Sequence, residues 1–127
     1  MNVLMISPGY PPEMPFFTRG LAEVGATVVG IGDSPEGALP AMARESLSGY
    51  AQVRTLWDEG ATIAEVRRLN ARVPFDRIEC LWEPGMMLAA RLLRATGSMA
   101  PSCWSPTPIT CAPTSARPRV KWIISSG

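Results

Sequence analysis

The residues of this sequence that could do chemistry are acids and glycines near the ends of apolar segments. The chain has no histidine, which excludes Ser-His and Cys-His nucleophilic catalysis and histidine–metal chemistry. We predict two substrate-binding residues, Gly9 in the loop at 7–13 and Glu83 between an apolar segment and a helix. Glu83 would face a helix dipole and the ligand edge of a sheet, although a helix cap that binds nothing explains it equally well. We predict no catalytic residue and no metal ligand.

Phosphate-binding motifs do not explain these residues. The loop at 7–13 contains one glycine and three prolines, so it lacks the run of backbone N–H groups in G-x-G-x-x-G. No G-x-x-x-x-G-K-[ST] occurs, and the single lysine is Lys121. The segment Gly30-Ile31-Gly32-Asp33 could place an acid near a ribose hydroxyl, but a strand end followed by a turn is the simpler interpretation.

The elements that position these residues alternate between strand and helix. Apolar runs predict strands at Asn2–Ile6, 26–32, 50–55 and 77–82. Helices are predicted from about Pro15 to Gly25, over 40–47, after Asp58 or Thr62, and from Glu83 to Gly97. Such alternation predicts an α/β fold, a Rossmann-like and mostly parallel sheet with flanking helices. Ligands of these sheets bind beyond the strand carboxyl ends, where residues 7–13, 33–36 and 83–85 would converge.

Apolar residues at helical spacing predict the buried face of each helix. Cys80 is expected to pack as a small hydrophobe, and Trp57 and Trp82 as core or loop cover. Met86 is expected to pack with its helix. The predicted stripes are Phe17, Leu21 and Val24 in the first helix, Ile63, Val66, Leu69 and Val73 in the third, and Met87 with Ala90 or Arg91 and Leu93 or Arg94 in the last.

Composition and hydropathy exclude several kinds of partner, segment and site. The chain has 127 residues and a formal net charge of +1, so nothing indicates a nucleic-acid partner or an anionic membrane. No apolar run approaches the length of a membrane span, and the first residues lack the basic start of a signal peptide. The cysteines, Cys80, Cys103 and Cys111, form neither a disulfide framework nor a zinc site. We expect a cytoplasmic protein, with a small-molecule substrate and compatible with a homo-oligomer.

The near-neutral charge is a sum over two unlike segments. All eleven acids lie at or before Glu83; residues 1–83 have a balance of −4 and residues 84–127 of +5. From 98 to 127 the sequence has five prolines and nine Ser or Thr, which prevents ordinary helix or central strand. We predict a domain at 1–97 and an irregular tail at 98–127. The tail is a natural disordered extension or an out-of-frame, truncated ending, since arginine outnumbers lysine eleven to one.

Three segments resemble the N-terminal, pre-ATP-grasp domain of ATP-grasp carboxylate–amine ligases: NVLMISPGY, ATVVGIGD and VPFDRIECLWEPGMMLAARLLRATG. The resemblance covers roughly residues 1–97. It implies a ligase that makes an acyl phosphate from a carboxylate and passes it to an amine, with ATP and magnesium bound in a later two-part domain. The resemblance also implies that two residues lie where the substrate binds: Gly9, whose backbone could approach the substrate closely, and Glu83. Because the later domain is not visible in the sequence, we expect no activity, and no bound ATP or magnesium, in this chain alone.

Two alternatives remain. ISPGYPPEMPFFTRGLAEVGATVV also resembles the start of a two-lobed glycosyltransferase, in which this half would be the acceptor side. Its family normally has glycines where Pro15 and Phe16 stand. The other alternative is a non-enzymatic α/β module that docks a partner through an open sheet edge.

Overall fold

The computed structural model describes residues 1–97, so the predictions for the tail at 98–127 lie outside the described residues. In the described part, strands alternate with helices as the sequence predicts. The strands are β1 (Asn2–Ile6), β2 (Thr27–Gly32), β3 (Gly49–Gln52) and β4 (Arg77–Glu79). The helices are α1 (Met14–Glu23), α2 (Ala41–Ser46), α3 (Glu59–Arg72) and α4 (Met86–Thr96), and 3-10 turns at Glu36–Ala38 and Glu83–Gly85 precede α2 and α4.

The strands form one parallel sheet in the order β3-β2-β1-β4. β1 pairs with β2 from Asn2 opposite Thr27 to Ile6 opposite Ile31, and on its other side it pairs with β4. The predicted α/β, Rossmann-like class is therefore confirmed. The chain moves outward from β1 to β3 and then returns past β1 to β4, so the strand order reverses between β1 and β4. Parallel sheets bind their ligands at such a reversal.

Two apolar cores lie on opposite faces of the sheet. Leu4 and Ile6 of β1 pack with α3 and α4, while Val3 and Met5 pack with α1 and the Leu47–Tyr50 region. This alternation follows from the period of two along a strand. It explains why β1 and β2 are apolar on both faces, as expected of strands covered on both sides.

The predicted buried face of α1 is wrong for two of its three residues. Leu21 is half-buried and packs against the core, whereas Phe17 is exposed and Val24 has 79% of its surface exposed. The buried residues are Met14, Pro15, Thr18 and Ala22, of which Met14, Thr18 and Ala22 are spaced four apart. The Thr18 hydroxyl donates to the Met14 carbonyl oxygen at 2.9 Å, so its burial leaves no polar group unpaired.

The predictions for α3 are confirmed. The Asp58 carboxylate accepts a hydrogen bond from the Ala61 N–H at 3.1 Å and caps the helix. Val66 and Leu69 are buried, and Ile63 and Val73 pack partly buried against the same core.

The predicted stripe of α4 is displaced from the observed one. Leu88, Ala89 and Leu92 are buried, while Met87 is 64% exposed and Met86 is exposed as well. The 3-10 turn at Glu83–Gly85 delays the α-helix to Met86, which rotates the buried face from the expected positions. The predicted end is confirmed, since Gly97 has a φ of 67° and stops the helix in the left-handed region.

β3 and β4 are shorter than predicted. β3 ends at Gln52 rather than Thr55, and β4 ends at Glu79 rather than Trp82. After Glu79 the chain turns away from the sheet, and the Cys80 thiol donates to the Trp82 carbonyl oxygen at 3.3 Å. The early end of β4 moves Trp82 and Glu83 out of the sheet and into the loop at its edge.

Candidate functional site

The segments that follow the strands lie together at one edge of the sheet, which we call the carboxyl edge: residues 7–13, 33–40, 53–58 and 80–85. The parallel order confirms that the three predicted ligand loops converge there. The reversal of strand order places 7–13 beside 80–85, at the ends of β1 and β4. This is where a ligand of a parallel α/β sheet is expected to bind.

The loop after β1 begins with a strained residue. Ser7 has a φ of 54°, a left-handed conformation that costs a non-glycine residue on the order of 1 kcal/mol. Its N–H donates to the Ile31 carbonyl oxygen at 2.8 Å, and the Tyr10 N–H donates to the Ser7 carbonyl oxygen at 3.2 Å. These bonds close a tight turn directly beyond the strand. Backbone strain of this kind is concentrated at functional sites.

Gly9 has a structural reason to be glycine. A Cβ at Gly9 would lie 3.0 Å from Cδ2 of Leu39 and 3.1 Å from Cδ of Pro40, so a side chain there would push the loop and the segment before α2 apart by a few tenths of an ångström. Gly9 also lines a hollow of about 80 Å³ together with Asp33, Ser34 and other residues of the two loops. Its backbone approach to a ligand remains a prediction.

Tyr50 closes the inner side of that hollow, and we did not predict it as a site residue. It is buried, and its hydroxyl donates to the Ser34 carbonyl oxygen at 2.6 Å. Burial, together with the nearby carboxylates of Asp33 and Glu36, raises the pKa of the Tyr50 phenol to about 12. The signal in the sequence is Gly30-Ile31-Gly32, because a Cβ at Gly32 would lie 2.6 Å from the Tyr50 hydroxyl oxygen.

Glu83 is the first residue of the 3-10 turn after β4, and its side chain is exposed. It does not cap α4, whose N-cap residue is Gly85 and which has no side-chain cap bond. No residue in 1–97 forms a hydrogen bond or an ion pair with the Glu83 carboxylate. The carboxylate is therefore free to meet a ligand, and its role in substrate binding stays a prediction.

Three aromatic rings, Tyr10, Trp57 and Trp82, join the two predicted site segments; we call them the aromatic trio. Tyr10 follows Gly9 and Trp82 precedes Glu83, and their ring centroids are 6.0 Å apart at 82°. Trp57 lies 5.4 Å from Trp82 at 64°. Trp57 is 66% exposed and Tyr10 58%, so of the two expected roles for Trp57, core or loop cover, a place in the core is wrong.

A narrow crevice of about 30 Å³ is lined by two rings of the trio, Trp57 and Trp82, and by Ile6 at the end of β1. Gly85 lines it, and a Cβ there would lie 2.6 Å from Sγ of Cys80 and 3.4 Å from Cε3 of Trp82. Cys80 packs against the core as expected, and burial raises the pKa of its thiol. The absence of a side chain at Gly85 thus makes room for the Cys80 sulfur. Glu59, paired with Arg91, lies on the crevice wall.

The carboxyl edge carries strong negative charge. Its four segments contain a single basic residue, Arg54, against five acids: Glu13, Asp33, Glu36, Asp58 and Glu83. Such an edge attracts cationic ligands and repels polyanions. Among residues 1–97, no group of three or more acid or cysteine side chains is placed to hold a metal ion.

A larger hollow, of about 390 Å³, lies between α1 and α2. Apart from the buried Ala22, it is lined by exposed or half-exposed helix side chains, including the ion pair of Arg19 with Glu23 at 2.7 Å. None of its lining residues belongs to the carboxyl edge. We therefore place the candidate site at the trio and the Gly9 hollow, despite their smaller volumes. No helix within 1–97 is long and apolar enough to cross a membrane.

Fold and site together define a Rossmann-like parallel α/β unit with an open ligand edge. No protein-family model and no curated protein matches the sequence. Among solved structures, the chain is similar to the L-amino acid ligase from Bacillus licheniformis, with a TM-score of 0.62 and 22% identity. The match covers 78% of this chain and 24% of the ligase. The two proteins share this fold, and this chain matches about a quarter of the ligase's length.

Proposed function

We propose that residues 1–97 form the substrate-side domain of an ATP-dependent carboxylate–amine ligase. The observation that carries the proposal is the fold shared with one part of an L-amino acid ligase. The resemblance of three sequence segments to pre-ATP-grasp domains supports it independently. Within this domain, the carboxyl edge near Gly9, the aromatic trio and Glu83 would bind and orient the substrate.

The carboxyl edge does not fit ATP or magnesium. A triphosphate needs positive side chains or a run of free N–H groups, but the carboxyl edge has five acids against Arg54. The loop after β1 contains three prolines, which have no N–H to donate. We therefore propose that nucleotide and metal bind to residues outside 1–97, and that this chain alone is inactive as a ligase.

Calorimetric titration of the whole chain tests the proposal. We expect binding heat from at least one member of a panel of L-amino acids, and none from Mg-ATP in the micromolar range. Glu83→Gln should weaken amino-acid binding about 2- to 5-fold, the loss of one ionic contact at an exposed position. Glu45→Gln is the matched control, because Glu45 is also exposed but lies on α2, outside the carboxyl edge.

Three results would contradict the proposal. Tight stoichiometric binding of Mg-ATP would show that the nucleotide site lies in this chain. Sugar acceptors that bind in place of amino acids would favour the glycosyltransferase alternative. Silence toward every amino acid and sugar would favour an α/β module without a small-molecule substrate.

A further inference from the structure

The aromatic trio has the geometry of a receptor for a positively charged group. Tyr10 and Trp57 both stand steeply on Trp82, at 82° and 64°, with centroid distances of 6.0 and 5.4 Å. In pairs at such angles one ring meets the other edge to face, and Tyr10 and Trp57 keep more than half of their surfaces open to solvent. The face of an indole or phenol attracts ammonium groups within about 6 Å of its centroid.

The exposure of these rings points to a ligand rather than to packing. Tyr10 and Trp57 have more than half of their surfaces exposed, and Trp82 is only half-buried. The trio lies where the strand order of the parallel sheet reverses, which is the place where such sheets bind ligands. Its rings therefore form an exposed apolar surface at a ligand-binding position. Burial of their area would favour binding of alkyl groups as well as of charge.

The charged residues around the trio favour a positively charged ligand. Glu83 is adjacent to Trp82 in the chain and has no partner within the described residues. Asp58 is adjacent to Trp57, and its carboxylate accepts the Ala61 N–H while keeping its negative charge near the ring. Glu59, on the crevice wall, is paired with Arg91, and Arg54 is the one basic residue of the four carboxyl-edge segments. The surroundings are thus anionic, complementary to a cation.

We propose that Tyr10, Trp57 and Trp82 form an aromatic receptor for an alkylammonium group, with Glu83 as its counter-charge. This inference rests on the proposed function and narrows it to substrates with a cationic substituent. The group held here is not the amine that reacts, because attack on an acyl carbon requires a neutral nitrogen with a free electron pair. The receptor instead holds a second, charged end of the substrate.

The test uses the indole N–H signals of the whole chain in NMR titrations, assigned with Trp57→Leu and Trp82→Phe. Choline is compared with its neutral isostere 3,3-dimethylbutan-1-ol at constant ionic strength, and L-lysine with L-norleucine. Choline and lysine should shift the Trp57 and Trp82 signals, and the neutral partners should leave them in place. Choline alone tests the receptor, while lysine tests whether the cation is part of an amino acid.

Variants show whether choline binding depends on the trio or on exposed aromatic rings in general. Tyr10→Leu or Trp57→Leu should weaken choline binding about 2- to 5-fold, as expected for one exposed cation–π contact. Glu83→Gln should weaken it to a similar extent and reduce its salt dependence. Phe16→Leu removes an exposed aromatic ring outside the trio and should change nothing. Circular dichroism and unfolding midpoints confirm that each variant is folded.

The proposal is overturned if choline and its isostere shift the indole signals equally, or if Phe16→Leu weakens binding as much as Trp57→Leu. Its failure is distinguishable from failure of the proposed function. Amino acids that bind regardless of side-chain charge would retain the ligase assignment and reject the receptor. Choline binding without any amino-acid binding would retain the receptor and reject the ligase assignment.

Discussion

The two ends of the same sheet are built in opposite ways. At the amino end, the Asp76 carboxylate accepts the Asn2 N–H at 2.7 Å, and the Asp76 N–H donates to the Asn2 carbonyl oxygen at 2.8 Å. The Asn2 side chain also donates to the Pro74 carbonyl oxygen at 2.9 Å. At the carboxyl end, Glu83 has no such bonds within the described residues, and Tyr10 and Trp57 are exposed. Polar groups that stabilise the fold lie at one end, and groups available to a ligand at the other.

The carboxyl end is itself divided. On the β2–β3 side, Tyr50 is buried, bonded to Ser34 and in contact with two glycines of β2. On the β1–β4 side, Trp57 and Trp82 line a crevice, and Tyr10 and Trp57 are exposed. The fold therefore leaves its ligand surface open where the strand order reverses and closes the adjacent position with its own side chains.

The largest effect is expected for Gly32→Ala, which would break the closed side. Its Cβ would lie 2.6 Å from the Tyr50 hydroxyl oxygen, and overpacking of this kind costs about 2–3 kcal/mol of unfolding free energy. Urea unfolding measures this loss. Tyr50→Phe in the same chain should recover part of it, because the clashing oxygen is removed. Gly37→Ala is the control, since nothing lies within 4 Å of a Cβ there.

The next largest effect is the pH dependence of the unfolding free energy that Tyr50, on the β2–β3 side, produces. The pKa of Tyr50 is raised from 10.0 to about 12 in the folded state, so the neutral phenol is favoured by folding. This stabilisation is fully present below pH 10 and is lost as the pH rises toward 12. Between pH 10 and pH 12 the unfolding free energy should fall by about 2 kcal/mol more than that of the Tyr50→Phe variant. Urea unfolding of both proteins across that range measures the difference. Equal pH dependence in the two proteins would show that the phenol is not buried as described.

A smaller effect on the unfolding free energy is expected when one carboxylate is removed at each end of the sheet, Asp76 at the amino end and Glu83 at the carboxyl end. Asp76→Ala removes the acceptor of the Asn2 N–H and should cost about 1 kcal/mol. Glu83→Ala removes an exposed carboxylate without a partner in residues 1–97 and should stay within about 0.5 kcal/mol. Comparable losses in thermal or urea unfolding would contradict the division between a structural and a ligand-facing end.

The smallest stability effect is expected for Trp57→Leu. Trp57 is 66% exposed, so its replacement should change the unfolding free energy by about 0.5 kcal/mol or less. A loss of several times that size would mean that the trio supports the fold rather than a ligand. Thermal unfolding, beside the Phe16→Leu control, distinguishes these outcomes.

Much of the fold could be predicted from local sequence, because its signals are local. The runs NVLMI and ATVVGIG are too apolar to face water on either side, which indicates strands covered by helices. Asp58 and Gly97 mark helix ends through their own backbone preferences. The buried faces of α1 and α4 were predicted only in part, because a pattern of apolar residues does not show which of them the sheet covers: Val24 and Met87 belong to the expected stripes and are exposed.

The site was predictable only in outline. Convergence of the loops follows from the parallel order, but the contact of Tyr10 with Trp82 joins residues far apart in sequence. Nothing local indicates that contact, nor the burial of Tyr50 beneath Ser34. The alternating glycines of β2 were read as a turn signal, whereas their role is to admit the tyrosine ring.

The most direct test of the central claim is a map of backbone amide shifts when L-lysine is added to the whole chain. The account predicts that shifts are concentrated in residues 7–10, 57–59 and 81–86, around the ends of β1 and β4. The hollow between α1 and α2, near Arg19 and Met42, should remain unaffected. Shifts centred on that hollow, or no localised shifts at all, would contradict the assignment of the carboxyl edge as the substrate site.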